Sequence, residues 1–362
     1  MTVIALVFAA LSIVAPRDGE SVSLLKDGHK AYLGGKRAER FIRMDNPSDR
    51  AKLFAMGAVQ PPVRLAWNGD TNAVYRLTIA ADGDAEESFA ISNRNDIYVT
   101  NLKSGSRYSW CIGLEGGEES ATASFVTEPD VPRMLRAGGV SNFRDLGGWS
   151  VIGGGRVREN MIFRSAGLRT SSKSVGGFIR RRIELGERRV TDAGIATLRD
   201  EFHIRTDLEL RTPQETAGMN GTVLGEGVRW ACISFAAYDF IDNAVRGREP
   251  FAEIFRIFTK EENYPVLMHC SGGRDRTGTL AFILNGLLGV SEDDLCRDWE
   301  SSIFSDKGIG FSSDRIQRLL DYLHKLPGDG LQAKIEAYVR GCGVSDDEIA
   351  AFRALMIEGK SQ

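Results

Sequence analysis

The chain has little of what metal, disulfide, nucleic-acid and membrane proteins depend on. Its five cysteines, Cys111, Cys232, Cys270, Cys296 and Cys342, are scattered, odd in number and form no C-x-x-C pair. A disulfide framework or a zinc site is therefore not expected. The four histidines, His29, His203, His269 and His324, have no metal-ligand spacing. No metal and no other cofactor is expected. Positive charge is not in surplus, with 46 Lys and Arg against 49 Asp and Glu. That balance speaks against a nucleic-acid partner, which a basic surface would attract.

A membrane-spanning segment is not expected either. The apolar run at 3–15, VIALVFAALSIVA, falls short of the roughly 20 residues a spanning helix needs. It has two readings. As the h-region of a secretory signal it predicts a secreted or periplasmic protein. No Lys or Arg precedes it, however, and Pro16 follows Ala15, the best cleavage residue. In the other reading Leu11 to Val14 form the first strand of a protein that stays in the cytoplasm.

The length of 362 residues suggests two domains. Residues 16–127 form an N-terminal region, and its core at 61–127 reads as short strands such as VRLAW, AVYRLTIAA and RYSWCIGLE. Turn residues separate them, as Asn68-Gly69-Asp70 does, which predicts an all-β sandwich. The stretch Asn101 to Trp110 resembles the tyrosine corner of a fibronectin type III domain, with Leu102 and Tyr108 at the corner and Trp67 in the core. Residues 16–60 are expected to add a strand and a short helix near Pro47 to Met56. Residues 128–138, EPDVPRMLRAG, read as a linker.

From 139 to 362 the pattern changes. Helical periodicity appears at 191–202, 249–262, 277–289, 312–325, 331–341 and 345–357. Ser345 and Glu348 have the spacing of a capping box. Strands are expected at 204–210 and 265–269. Alternation of this kind predicts an α/β domain with a central sheet flanked by helices.

The chemistry concentrates in one string, His269-Cys270-Ser271-Gly272-Gly273-Arg274-Asp275-Arg276-Thr277-Gly278. It follows the apolar run Val266-Leu267-Met268 and precedes a helical pattern, so it is a strand-to-helix loop. Such a loop turns backbone N–H groups and a helix N-terminus toward an anion. Cys270 and Arg276 have C-x5-R spacing. A thiol among N–H dipoles and beside a cation is stabilised as the thiolate, which can attack phosphorus and form a phosphocysteine. Arg276 can hold two phosphate oxygens through its planar fork. Ser271, Gly272, Gly273 and Arg274 complete the phosphate-binding loop. Thr277 can donate to the sulfur and ease its departure. His269 is expected to orient the loop through backbone contacts.

The string resembles the signature HCxxGxxRTG of protein tyrosine phosphatases. A second segment, Asn142-Phe143-Arg144-Asp145-Leu146-Gly147-Gly148, is similar to the NFRDxGG motif of the bacterial tyrosine/serine phosphatase family. Further similarities lie at Phe163 to Leu168, Asp207 to Arg211, and Asp298-Trp299-Glu300, so the resemblance covers about 133–357. It implies a phosphomonoester hydrolase acting on phosphorylated protein, with a phosphoinositide or inositol phosphate as the alternative substrate. Where the family has Lys-Asp before the loop arginine, this chain has Arg274-Asp275. Asp275 would be the general acid. Asp239 and Asp242 compete for that role from the position of a separate acid loop.

Arg144 and Asp145 have two readings. They support the catalytic loop, or Asp145 caps the turn at Gly147-Gly148 and pairs with Arg144. Arg164 and Arg211 read as ion-pair scaffolding, and Trp299 as a packing residue. The run Arg180-Arg181-Arg182, with Arg188 and Arg189, is a solvated face or a docking patch for acidic substrates. From another class, the protein would be a phosphate-binding or adhesion module with vestigial catalysis.

Overall fold

The computed structural model describes residues 11–117, 120–170, 188–306, 308 and 310–359. The arginines at 180–182 and residues 3–10 of the apolar run lie outside the described residues. Among the described residues no helix is long and apolar enough to cross a membrane.

Two compact units are present. The first takes the described residues up to Lys26 together with Gln60–Val131. Its strands are β1 (Ser12–Ala15), β2 (Glu20–Val22), β3 (Val63–Asn68), β4 (Val74–Ala81), β5 (Glu87–Ser92), β6 (Asp96–Val99), β7 (Arg107–Leu114) and β8 (Ser120–Thr127). They form a three-stranded sheet, β1-β3-β6, and a five-stranded sheet, β2-β8-β7-β4-β5. Alternation along β4 and β7 turns Tyr75, Leu77, Ile79, Tyr108, Trp110 and Ile112 inward, as half-buried strands require. Trp67 of β3 meets Tyr75 of β4 edge-on, with ring centroids 5.4 Å apart. The Lys103 amide donates to the Tyr108 hydroxyl at 2.7 Å. Ser12–Ala15 pairs with β3, so a cut after Ala15 would remove a strand.

The second unit comprises Asp27–Val59 and Pro132–Gln362. Residues 27–59 were expected with the strands; instead they form α1 (Asp27–Leu33), α2 (Arg37–Asp45) and α3 (Pro47–Ala55) of the second unit. The physical reason is a buried ion-pair network. Arg40 donates to Glu300 at 2.9 and 3.1 Å and to Asp293 at 2.7 Å. Asn46 caps α3 and Pro47 opens it, as both residue types favour. The expected linker is also divided. Its boundary falls after Val131, and Arg133, Met134 and Leu135 are buried in the second unit. Arg133 pairs with Asp145 at 2.6 Å, so its charge is internal rather than solvated.

The remaining strands are β9 (Arg144–Asp145), β10 (Arg156–Val157), β11 (Ile162–Ala166), β12 (Thr206–Glu209), β13 (Arg229–Cys232), β14 (Val266–Cys270) and β15 (Ile357–Glu358). Five of them form a sheet in the order β13-β12-β14-β11-β9, with β14 at its centre and parallel to both neighbours. Every residue of β11, β12 and β14 is buried, as parallel strands covered on both faces should be. The helices are α4 (Asp192–Ala196), α5 (Glu249–Ile257), α6 (Arg276–Leu288), α7 (Glu292–Glu300), α8 (Ser313–His324), α9 (Gly330–Gly341) and α10 (Asp346–Met356). Helix α6 is buried from Thr277 to Leu288, the pattern of a helix apolar on all sides. The capping box at Ser345 and Glu348 is formed. The second unit is thus a mixed α/β domain.

Candidate active site

Strand β14 ends on Cys270, and helix α6 begins on Arg276. The five residues between them must reverse direction in little space. Gly273 makes this possible, with φ +63° and a position where a Cβ would lie 2.2 Å from the Ser165 carbonyl oxygen. No other residue type fits that approach.

Cys270 is buried at the base of the loop. Burial would push its thiol up, but the Arg276 charge and hydrogen bonds from Thr277 outweigh it and hold the pKa below the ordinary value. The Thr277 hydroxyl is fully buried and has no other hydrogen-bond partner among the described residues. Arg276 is gripped by Glu215 through two parallel bonds, Nη1 to Oε2 at 2.7 Å and Nη2 to Oε1 at 3.0 Å. The Ser271 hydroxyl donates to the same carboxylate at 3.2 Å. Burial opposes ionisation of Glu215, yet Arg276 and the Thr212 amide and hydroxyl bring its pKa down to about 2. Glu215 was not among the residues expected at the site. Its local signal is a capping box, Thr212-Pro213-Gln214-Glu215, in which Thr212 and Glu215 bond reciprocally.

Asp275 accepts from the Tyr238 hydroxyl at 2.6 Å, from Arg315 at 2.7 Å and from Arg274 at 3.1 Å. Burial would raise its pKa, but the Arg274 charge and these hydrogen bonds hold the carboxyl below its usual value. The Arg274 guanidinium also lies over the Phe311 ring, 5.3 Å from its centroid. Phe311 stacks on Trp299 at 4.2 Å. The segment proposed as a separate acid loop behaves differently. Asp242 pairs with Arg248 and Tyr322 at 2.5 and 2.8 Å, and Asp239 faces Arg318 at 3.7 Å. That segment reaches the loop through Tyr238, a phenol, which sequence reasoning did not single out.

The back of the loop is held by the NFRD segment. Asn142 donates to the Gly272 and Gly273 carbonyls at 3.1 and 3.2 Å. Arg144 donates to Asn142, to Ser302 and to the Asp298 carboxylate. Arg164 bonds the other oxygen of Asp298 and the Gly273 carbonyl. Burial and the neighbouring Arg164 bring Arg144 down to about 10, against the pull of Asp298. Asp145 does cap the turn, accepting from the Gly147 amide at 2.8 Å. Its ion-pair partner is Arg133 and not Arg144, because Arg144 is committed to Asp298. The His269 carbonyl accepts from the Leu210 amide at 2.8 Å, and its ring lies with Nε2 2.6 Å from Asp207 and Nδ1 3.5 Å from Glu209. Burial disfavours its cation, but the Glu209 and Asp207 charges win and raise its pKa. Glu209 in turn takes Arg211 through two bonds.

A buried thiol held below its ordinary pKa, an anchored guanidinium and a helix N-terminus meet on one loop, a combination whose charge and donors suit a tetrahedral oxyanion. The chain belongs to the tyrosine phosphatase family, whose pattern matches residues 135–358. A protein of Cupriavidus necator, provisionally named a tyrosine-protein phosphatase, is 31% identical over 192 residues. The match covers 50% of this chain and 66% of that relative, just under two thirds of its length. Among solved structures, the core catalytic domain of the PP-IP phosphatase SIW14 from S. cerevisiae is 20% identical. The match covers 49% of this chain and 98% of that one, with a TM-score of 0.26; likeness at that level says nothing of substrate.

Proposed function

We propose that the chain is a phosphomonoester hydrolase of protein-tyrosine-phosphatase type that works through a phosphocysteine. The observation that carries this is the pairing of a Cys270 thiol held below its ordinary pKa with an Arg276 fork locked by Glu215. In the first step the Cys270 sulfur attacks phosphorus, and the bond from phosphorus to the ester oxygen breaks. Asp275 gives its proton to that oxygen as it leaves. In the second step water attacks the phosphocysteine, Asp275 takes its proton, and the S–P bond breaks to return thiolate and inorganic phosphate. Arg276 and the loop amides balance the charge on the equatorial oxygens.

A bound phosphate dianion gives Arg274 a second partner and adds negative charge beside Asp275. Both effects raise the Asp275 pKa from its depressed value in the free site, which supplies the proton for the first step. A phosphorylated tyrosine or serine of a protein is the proposed substrate. The N-terminal unit is read as fibronectin type III-like, on its β1-β3-β6 and β2-β8-β7-β4-β5 strand orders and the Tyr108 corner.

Turnover of an aryl phosphate in reducing buffer between pH 5 and 7.5 tests the reading. Activity is expected, with Cys270→Ser abolishing it while phosphate still binds. Asp275→Asn should lower turnover by about 10² or more with a poor leaving group, and less with nitrophenolate. Absence of wild-type turnover would sink the enzyme assignment.

A further inference from the structure

Residues 27–59 lie outside the 135–358 segment that the family shares, yet they pack into the catalytic unit. Beyond the Arg40 network at Asp293 and Glu300, a second set of their contacts falls within 301–315. His29 and Tyr32 of α1 meet the Phe304 ring at 4.4 and 5.8 Å between centroids. Arg50 of α3 donates to the Phe311 carbonyl at 2.7 Å. Asp45, the last residue of α2, accepts from the Ser313 amide at 2.8 Å and from its hydroxyl at 2.5 Å. The same stretch holds the catalytic loop. Phe311 is the plate beneath Arg274, and Arg315, in the first turn of α8, donates to Asp275.

We propose that Arg50 and Asp45 are positioning residues for the phosphatase reaction, fixing Phe311 and the start of α8 and, through them, Arg274 and Asp275. The inference rests on the general-acid reading of Asp275. Both residues grip main-chain groups, so they set where the backbone of 311–313 lies and not merely how a side chain turns. Two short chains of contact result. One runs from Arg50 through Phe311 to Arg274. The other runs from Asp45 through Ser313 and one turn of helix to Arg315 and Asp275. Placement at this level matters, because an error of about 1 Å in a reacting group costs about 10²-fold in rate. Cys270 and Arg276 have other supports, in Thr277, Glu215 and the Arg164 bond to Gly273. Loss of Arg50 or Asp45 should therefore spare the nucleophile and injure the acid.

The full-length chain carrying Arg50→Met, which keeps the stem and removes the donors, provides the test. Phenyl phosphate needs its leaving oxygen protonated; p-nitrophenyl phosphate scarcely does. The expected result is a fall in kcat/KM for phenyl phosphate on the order of ten- to a hundredfold. Turnover of p-nitrophenyl phosphate should change far less, and Arg50→Lys should restore the rate. Asp45→Ala, at an exposed position, should give the same selective loss and stands in if Arg50→Met does not fold. Unchanged rates, or equal losses with both esters, would overturn the proposal. A wild-type chain inactive on both esters would instead refute the phosphatase reading itself.

Discussion

Asp275 has three side chains donating to it, and two of them bring positive charge. Replacing Arg315 with Met removes one donor and one charge, so the Asp275 pKa rises toward its ordinary carboxylate value. A general acid works in its protonated form, and a higher pKa keeps that form populated to higher pH. The alkaline limb of the kcat profile with phenyl phosphate should therefore move up in Arg315→Met, with a lower plateau. A limb that stays in place or moves down would remove Asp275 from the acid role. Most of the loop itself was legible in the sequence because one strand–loop–helix carries Cys270, Arg276 and Thr277 together. Glu215, Tyr238 and Arg315 were not, since they arrive from 61, 37 and 40 residues away in the chain. Nothing local marks them except the capping box at Glu215. The NFRD motif was legible as a motif, but its division of labour was not. Arg144 and Asp145 are adjacent in sequence and point to different partners, Asp298 and Arg133.

Helix α7 shows why some elements escape a reading by apolar periodicity. Its buried face includes Asp298 and Glu300 beside Leu295, Cys296 and Trp299, so the apolar stripe is broken by charge. Strand β11 is similar, with Arg164 and Ser165 buried in its middle. Each irregularity is half of one interaction, the Asp298 carboxylate shared between Arg144 and Arg164. The helices read correctly, α5, α6 and α8 to α10, bury apolar residues along one face or all round. Asp298→Asn would leave two buried guanidiniums without a counter-charge, at a cost of about 3–5 kcal/mol. Denaturant unfolding of the catalytic unit should show that loss. The Gly273 carbonyl is held by Arg164, so turnover should fall as well. A stability change below 1 kcal/mol would mean that water or rearrangement satisfies the two arginines, contrary to the burial described.

At the scale of the molecule, the chain passes between its two units three times, at residues 26/27, 59/60 and 131/132. A fragment beginning at Pro132 would keep the whole segment matched by the family and still lack α1 to α3. It would leave Glu300, fully buried in the full chain, without Arg40. Its calorimetric transition should lie below that of the catalytic unit in the intact protein, and an equal transition would show these helices to be dispensable. The same buried pair also orders events in time. Arg40 and Glu300 are 260 positions apart, and at about 5–20 residues per second the ribosome needs roughly ten seconds to a minute to make the distance. Throughout that interval Arg40 is without the Glu300 carboxylate that it pairs with in the folded chain. A prematurely terminated product, stopping anywhere before Glu300, leaves Arg40 without this partner and the loop without its brace.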